Sequence, residues 1–227
     1  YGQLSGVAGR ATELWEEAAR IRFGSAAPSL ARRSAASARG VASYKAAFEL
    51  LAAVEGSIEI VDGTVTQHAA GVEVVACPCL ETLHNYGVGA QGAIRFAAGS
   101  SFERALRGLE RPLERLSATL VHGGKLAPAV AMVVTTPPHE LQEHLWYNDG
   151  CDAIEAAISK RLHANLFSAM RQHGHASVAM PTLATGGAGL DVTCMCNGLA
   201  MALTEDVRQH PGALLHVRIA CYEHSHL

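Results

Sequence analysis

Apolar and polar residues change period along this chain in a way that separates strands from helices. Ile58-Glu59-Ile60-Val61 alternates with period two, as a half-buried strand does, and Val72-Glu73-Val74-Val75-Ala76-Cys77 is a short buried one. Gly92 to Ala98 reads as a helix closed by Gly99. Ser100 with Glu103 forms a capping-box pattern for a following helix. Leu106, Leu109, Leu113 and Leu116 line that helix, and Pro112 inside the stripe predicts a kink or a break. Ala129 to Thr136 predicts a central strand ended by Pro137-Pro138, and Asn148-Asp149-Gly150 a turn. Ile154, Ile158, Leu162, Leu166 and Met170 fall on one side of a long helix. Ala176 to Met180 is a strand that runs straight into Pro181. Met195, Leu199, Leu203 and Val207 make an inward stripe stopped at Pro211-Gly212, and Leu214 to Tyr222 closes the chain as a strand. Strands alternating with helices of this length predict an α/β fold whose mostly parallel sheet is covered on both faces.

The first 55 residues differ. Leu14, Trp15, Ala18 and Ala19 share one face of a short amphipathic helix, and Tyr44 to Val54 predicts another. Between them the composition shifts to Ser, Ala, Gly and Pro with Arg20, Arg22, Arg32, Arg33 and Arg39, and no acid appears between Glu17 and Glu49. This stretch reads as a solvated linker or an arm lying on a protein partner, with a phosphate-binding tail as the alternative. The boundaries drawn are 1–55 for the extension and 56–227 for the folded domain.

Composition narrows the function classes. The 227 residues are 49 % hydrophobic and 17 % charged, as expected of a soluble globular chain. A net charge of -3 supplies no field to attract nucleic acid. The longest apolar run, Ala129 to Val134, is far too short for a bilayer span. Six cysteines are too few for a disulfide scaffold, several lie in apolar stretches where a thiol acts as a small hydrophobe, and an intracellular, reducing compartment is expected. The chain opens Tyr1-Gly2-Gln3-Leu4 with neither an initiator methionine nor a signal-peptide core, which leaves open that native sequence and targeting information precede it. Cys77-Pro78-Cys79 and Cys194-Met195-Cys196, with His84 nearby, invite a metal reading. Structural zinc favours two-residue spacers, and residues i and i+2 on a helix point about 200° apart, so no metal and no cofactor are expected. His173, His175, His224 and His226 read as solvated surface residues.

Two loops carry the candidate chemistry. Tyr86-Gly87-Val88-Gly89-Ala90-Gln91-Gly92 precedes a helix, and Ala184-Thr185-Gly186-Gly187-Ala188-Gly189 joins a strand to a helix. Glycine admits positive φ and close approach of backbone to an anion, and N–H groups at the following helix N-terminus add donors. Two such loops suit two phosphates side by side. Neither is followed by Gly-Lys-Ser/Thr as in a Walker A loop. No Gly-x-Gly-x-x-Gly loop with a distant acid opens the first strand–helix unit.

Four segments in register resemble the macro-domain family over residues 57–223. Ile58 to Thr66 is similar to its opening strand and Gly-Asp-Ile-Thr turn, and Gly87 to Gly99 to its glycine loop followed by Gly-Ala-Ile and Ala-Ala-Gly. Gly124 to Ala129 resembles the stretch before its central strand. Met180 to Gly189 is similar to its Pro-x-x-Ser-Thr-Gly-x-Tyr/Phe-Gly loop. The resemblance implies a three-layer α/β/α fold that binds ADP-ribose or ADP-ribosylated protein. By it Thr64 and Val65 border the adenine and Tyr222 either stacks on it or stands at the rim. Gly87, Val88, Gly89, Ala90 and Gln91, with Thr185, Gly186, Gly187, Ala188 and Gly189, wrap the diphosphate and distal ribose.

The departures bear on catalysis. Thr64 replaces the family's adenine-binding acid, and Asp62 substitutes only if the turn is shifted. Pro78-Cys79-Leu80-Glu81 aligns with the Asn-Ala-Ala-Asn segment, so both ribose-holding asparagines are lost. Gln91 stands where many hydrolytic members carry an acid, and glutamine cannot act as a general base. Ala188 replaces an aromatic. Binding is therefore expected over hydrolysis. The alternatives are an ADP-ribosyl hydrolase using Glu81 or His84, and a structural subunit that kept the fold and lost the ligand.

Overall fold

The computed structural model describes residues 50, 52–84, 87–126, 128–137 and 153–222. It divides into two units at Gly56 and Ser57. Of the first unit only Leu50 and residues 52–56 are described, and they are helical. The expected helix at residues 1–19, the arginine-bearing stretch and the turn at 148–150 lie outside the described residues.

The second unit holds a six-stranded sheet in the order β1-β6-β5-β2-β4-β3. The strands are β1 (Ile58–Asp62), β2 (Val74–Cys79), β3 (Ala118–Val121), β4 (Ala129–Val134), β5 (Ser177–Pro181) and β6 (His216–Cys221). Every pairing is parallel except that of β3 with β4. The helices are α1 (Gly89–Arg107), α2 (Ala153–Gln172) and α3 (Val192–Gln209). β2 and β4 are buried almost throughout, as strands covered on both faces must be.

Alternation along the strands separates two cores. Val75, Cys77 and Cys79 on β2 point to the same face as Val130, Met132 and Val134 on β4. There they pack with Ile94, Ala98, Phe102 and Leu106 of α1. α2 and α3 pack on each other and take the opposite face, where Ile158, Leu162, Leu166, Met170, Met195, Leu199 and Leu203 are buried. Ile154 and Val207, the expected outer members of those stripes, are exposed and half-buried respectively. The helix contact is close because Gly198 lies against Ser159, whose hydroxyl donates to the Met195 carbonyl at 3.0 Å.

Three local expectations are corrected. Gly99 does break α1, with φ 74° and ψ -166°, but Glu103 pairs with Arg95 rather than serving a capping box. The break predicted in the leucine stripe is present but leads to no second helix: α1 stops at Arg107, Gly108 caps it, and residues 109–117 are irregular around a cis Arg111-Pro112 bond. β3, four residues without alternation, was not anticipated. Burial pushes the thiol of Cys79 up to about 12 and that of Cys77 higher still, so both remain protonated core hydrophobes. Cys194 departs from that role. It is fully buried and disulfide-bonded. Among the described residues no group of three His, Cys, Asp or Glu could hold a metal ion, and no helix is long and apolar enough to cross a membrane.

Candidate functional site

Parallel strands deliver their carboxyl ends to one edge of the sheet, and ligands in such folds bind there. Here a cavity of about 960 Å³ runs along that edge. It is at the upper end of the ~300–1,000 Å³ range of small-molecule sites. All five parallel strands contribute to it. Thr64 and Val65 follow β1, Ala220 and Tyr222 end β6, Pro181 and Thr182 end β5, Pro78 to Leu80 end β2, and Thr135 to Pro137 follow β4. Four inter-strand spacings of ~4.8 Å give this floor a length of about 19 Å. Such a slot fits an elongated ligand.

The first glycine loop forms one wall. Val88, Gly89, Ala90 and Gln91 line the cavity, whereas Gly87 does not. Gly87 and Gly89 have φ of 73° and 62°, the left-handed region glycine adopts without penalty. A Cβ at Gly92 would come within 2.6 Å of the Gly87 carbonyl carbon, so this glycine lets the loop fold back on the helix. Among the described residues no side chain caps α1, and its first turn carries no acid. The N–H groups at 89–91 therefore keep the donors and partial positive charge of a helix start.

The second loop works differently from the sequence expectation. Thr185, Gly186, Gly187 and Ala188 line the cavity and Gly189 does not. Leu183 and Leu190 anchor the loop in the core, and Leu190 N–H donates to the Ala184 carbonyl at 3.0 Å. The N-terminus of α3 is not available to a ligand, because Asp191 accepts from Thr193 N–H at 2.7 Å and Cys194 N–H at 3.2 Å. The backbone donors left on this side are N–H groups of the loop itself, beside the hydroxyls of Thr182 and Thr185. Gly186 and Gly187 have no positive φ, and a Cβ at either would meet no described atom within 4 Å. Their smallness faces the cavity.

Of the thirteen residues expected to bind ligand, Thr64, Val65 and Tyr222 complete the set that the structure brings together. Tyr222 is 60 % exposed at the β1/β6 end. Thr64 is held by Gln67, whose Oε1 accepts from its N–H at 2.8 Å and its hydroxyl at 3.0 Å. Asp62 is exposed and does not line the cavity, so the turn is not shifted to bring it in.

Neither catalytic candidate lines the cavity. Glu81 accepts from Thr136 Oγ1 at 2.6 Å and Arg115 Nη2 at 3.1 Å. The Thr136 hydroxyl, helped by Arg115, holds its carboxyl below the usual carboxylate range. His84 is exposed, and its carbonyl accepts from Gln91 Nε2 at 3.1 Å. Pro78, Cys79 and Leu80, aligned with the ribose-holding segment but not named as ligand-binding, also line the cavity, as do Thr135, Thr136 and Thr182, which look like ordinary strand residues until their strand ends are known. Among the described lining residues none is Asp, Glu, His, Lys or Arg.

This arrangement is found in solved proteins. A macrodomain from Trypanosoma brucei, solved in complex with ADP-ribose, superposes with a TM-score of 0.61 at 18 % identity, over 75 % of this chain and 66 % of that one. The macro domain of ganglioside-induced differentiation-associated protein 2 gives 0.59 at 16 % identity, over 75 % and 79 %. The Oceanobacillus iheyensis macrodomain with ADP gives 0.57 at 18 % identity, over 74 % and 84 %. The chain thus spans just under two-thirds of the T. brucei chain, 64 % in one crystal form. No family model and no curated protein matches the sequence. The chain has the macrodomain fold, a three-layer α/β/α sandwich with a mixed, mostly parallel sheet.

Proposed function

We propose that the cavity binds ADP-ribose, free or carried on a protein, and does not hydrolyse it. One observation carries the reading. An elongated cavity offers an exposed tyrosine at one end and an uncapped helix start in its wall, while the described lining residues supply no carboxylate or imidazole. Backbone N–H groups can hold phosphate without a cation, and a site without a proton-transfer side chain favours binding over cleavage. Structural neighbours solved with ADP and with ADP-ribose support the ligand class.

Glu81 is occupied by Thr136 and Arg115, and Gln91 by the His84 carbonyl, which weighs against the hydrolase alternative. Calorimetric titration with ADP-ribose tests the reading, and incubation with a mono-ADP-ribosylated protein separates binder from hydrolase. Saturable binding without release of ADP-ribose is the expected result. Absence of heat at about millimolar ligand, a binding energy no better than ~4 kcal/mol, would defeat it.

A further inference from the structure

The two ends of the cavity are not equally equipped. The β1/β6 end has Tyr222, Val65 and Thr64, a platform and rim for a planar base. The middle has the α1 start and the N–H groups of the second loop. The β4 end has Pro78, Leu80, Pro137 and the hydroxyls of Thr135 and Thr136.

Those hydroxyls are already engaged as donors. Thr136 Oγ1 donates to Glu81 at 2.6 Å, and Thr135 Oγ1 reaches the Cys79 carbonyl at 3.5 Å. The Gln91 amide donates to His84, and Thr185 Oγ1 to the Thr182 carbonyl at 3.0 Å. Glu81, the carboxylate behind this end, has both oxygens occupied. Ala188, also in the lining, has no side chain that could cover or hydrogen-bond a ligand. A polyhydroxylated group entering here would leave water for hydroxyls that can only accept from it, so its transfer gains little.

Resting on the reading of the cavity as a nucleotide site, we propose that recognition ends at the second phosphate. The cavity takes adenosine diphosphates with little regard for what that phosphate carries. Thr135 and Thr136 position Cys79 and Glu81 rather than a sugar, and the distal group sits at the β4 end without being selected.

Calorimetry on the full chain with ADP-ribose, ADP and AMP tests this. ADP and ADP-ribose are expected to bind within about threefold of each other, and AMP at least about tenfold more weakly. A preference for ADP-ribose over ADP of about tenfold or more overturns the inference while leaving the nucleotide reading intact. AMP binding as tightly as ADP overturns it in the other direction, by showing that the second phosphate is not read. Failure of all three to bind removes the nucleotide reading itself, and the inference with it.

Discussion

Arg95 and Glu103 meet across the Gly99 break in α1, with Nε donating to Oε1 at 2.7 Å and Nη2 to Oε2 at 2.5 Å. The guanidinium also donates to the Leu83 carbonyl at 2.8 Å. One side chain therefore fixes the angle of the break and the loop leading to the cavity. The Arg95 side chain is only 10 % exposed, and a planar fork is what its two partners require. Glu103 is about a third exposed, so solvent discounts part of the pair. Arg95→Lys is expected to cost roughly 1–3 kcal/mol by urea denaturation, because the ammonium cannot serve both partners. An unchanged midpoint would show that the break is held by packing alone.

The two glycine loops make opposite demands, which a pair of substitutions separates. Gly92→Ala places a Cβ 2.6 Å from the Gly87 carbonyl carbon, so the first loop must move away from α1. ADP-ribose affinity should fall by about tenfold or more, with a stability cost of about 1–3 kcal/mol from the overlap. Gly187→Val starts its side chain from a Cβ position with no described atom within 4 Å. Its melting temperature should stay near that of the parent while affinity falls by a similar factor. Calorimetry and thermal melts on both variants check this, and full affinity in Gly187→Val would mean the second loop does not approach the ligand.

Much of the fold and part of the site could be read in the sequence, for identifiable reasons. Glycine-rich stretches set between a strand and a helix mark a backbone that must turn tightly, which is why residues 87–91 and 185–189 are expected at a ligand, and all but Gly87 and Gly189 line the cavity. The Gly99 break was visible because a helical stripe ends there. Thr135, Thr136 and Thr182 were not visible, since threonine is at home in strands and its position at a strand end depends on register. Glu81 looked like a candidate acid because its partner Thr136 lies 55 residues further on. Asp191 reads as an ordinary N-cap, and the consequence that α3 offers nothing to a ligand follows only from its geometry. β3 was missed because four residues give too short a window for periodicity.

The contact between α2 and α3 depends on one missing methyl group. A Cβ on Gly198 would overlap the Ser159 side chain and approach the Lys160 amide nitrogen to 2.5 Å. Because that obstacle includes backbone, the helices must separate rather than a side chain rotate. Gly198→Ala should lose stability by roughly 1–3 kcal/mol, against the ~1 kcal/mol that alanine normally adds in a helix. Denaturant midpoints at unchanged m-value would measure it. A stabilised variant would show that the two helices are not held at this distance.

His163 gives the fold a pH dependence of definite sign. Its ring is fully buried in α2, Nδ1 lies 2.8 Å from the Ser159 carbonyl, and Nε2 has no hydrogen-bond partner among the described residues. Burial pulls its pKa down to about 4, opposed only in part by the Ser159 contact. The unfolded chain takes up this proton near pH ~6.5 and the folded one does not, so stability is complete above that pH and falls as pH drops towards 4. The loss should be about 2 kcal/mol between pH ~7.5 and ~5. Glu73, Glu81 and Glu103, whose pKa values are all lowered, hold their contribution above the unfolded carboxylate range and lose it only at lower pH. The interval between pH ~5 and ~6.5 therefore separates the histidine from these carboxylates. Urea unfolding at several pH values should give a slope there that His163→Leu flattens, whatever the variant's absolute stability. Parallel curves for the two proteins would mean that the imidazole charges within the fold, and that the buried site admits water.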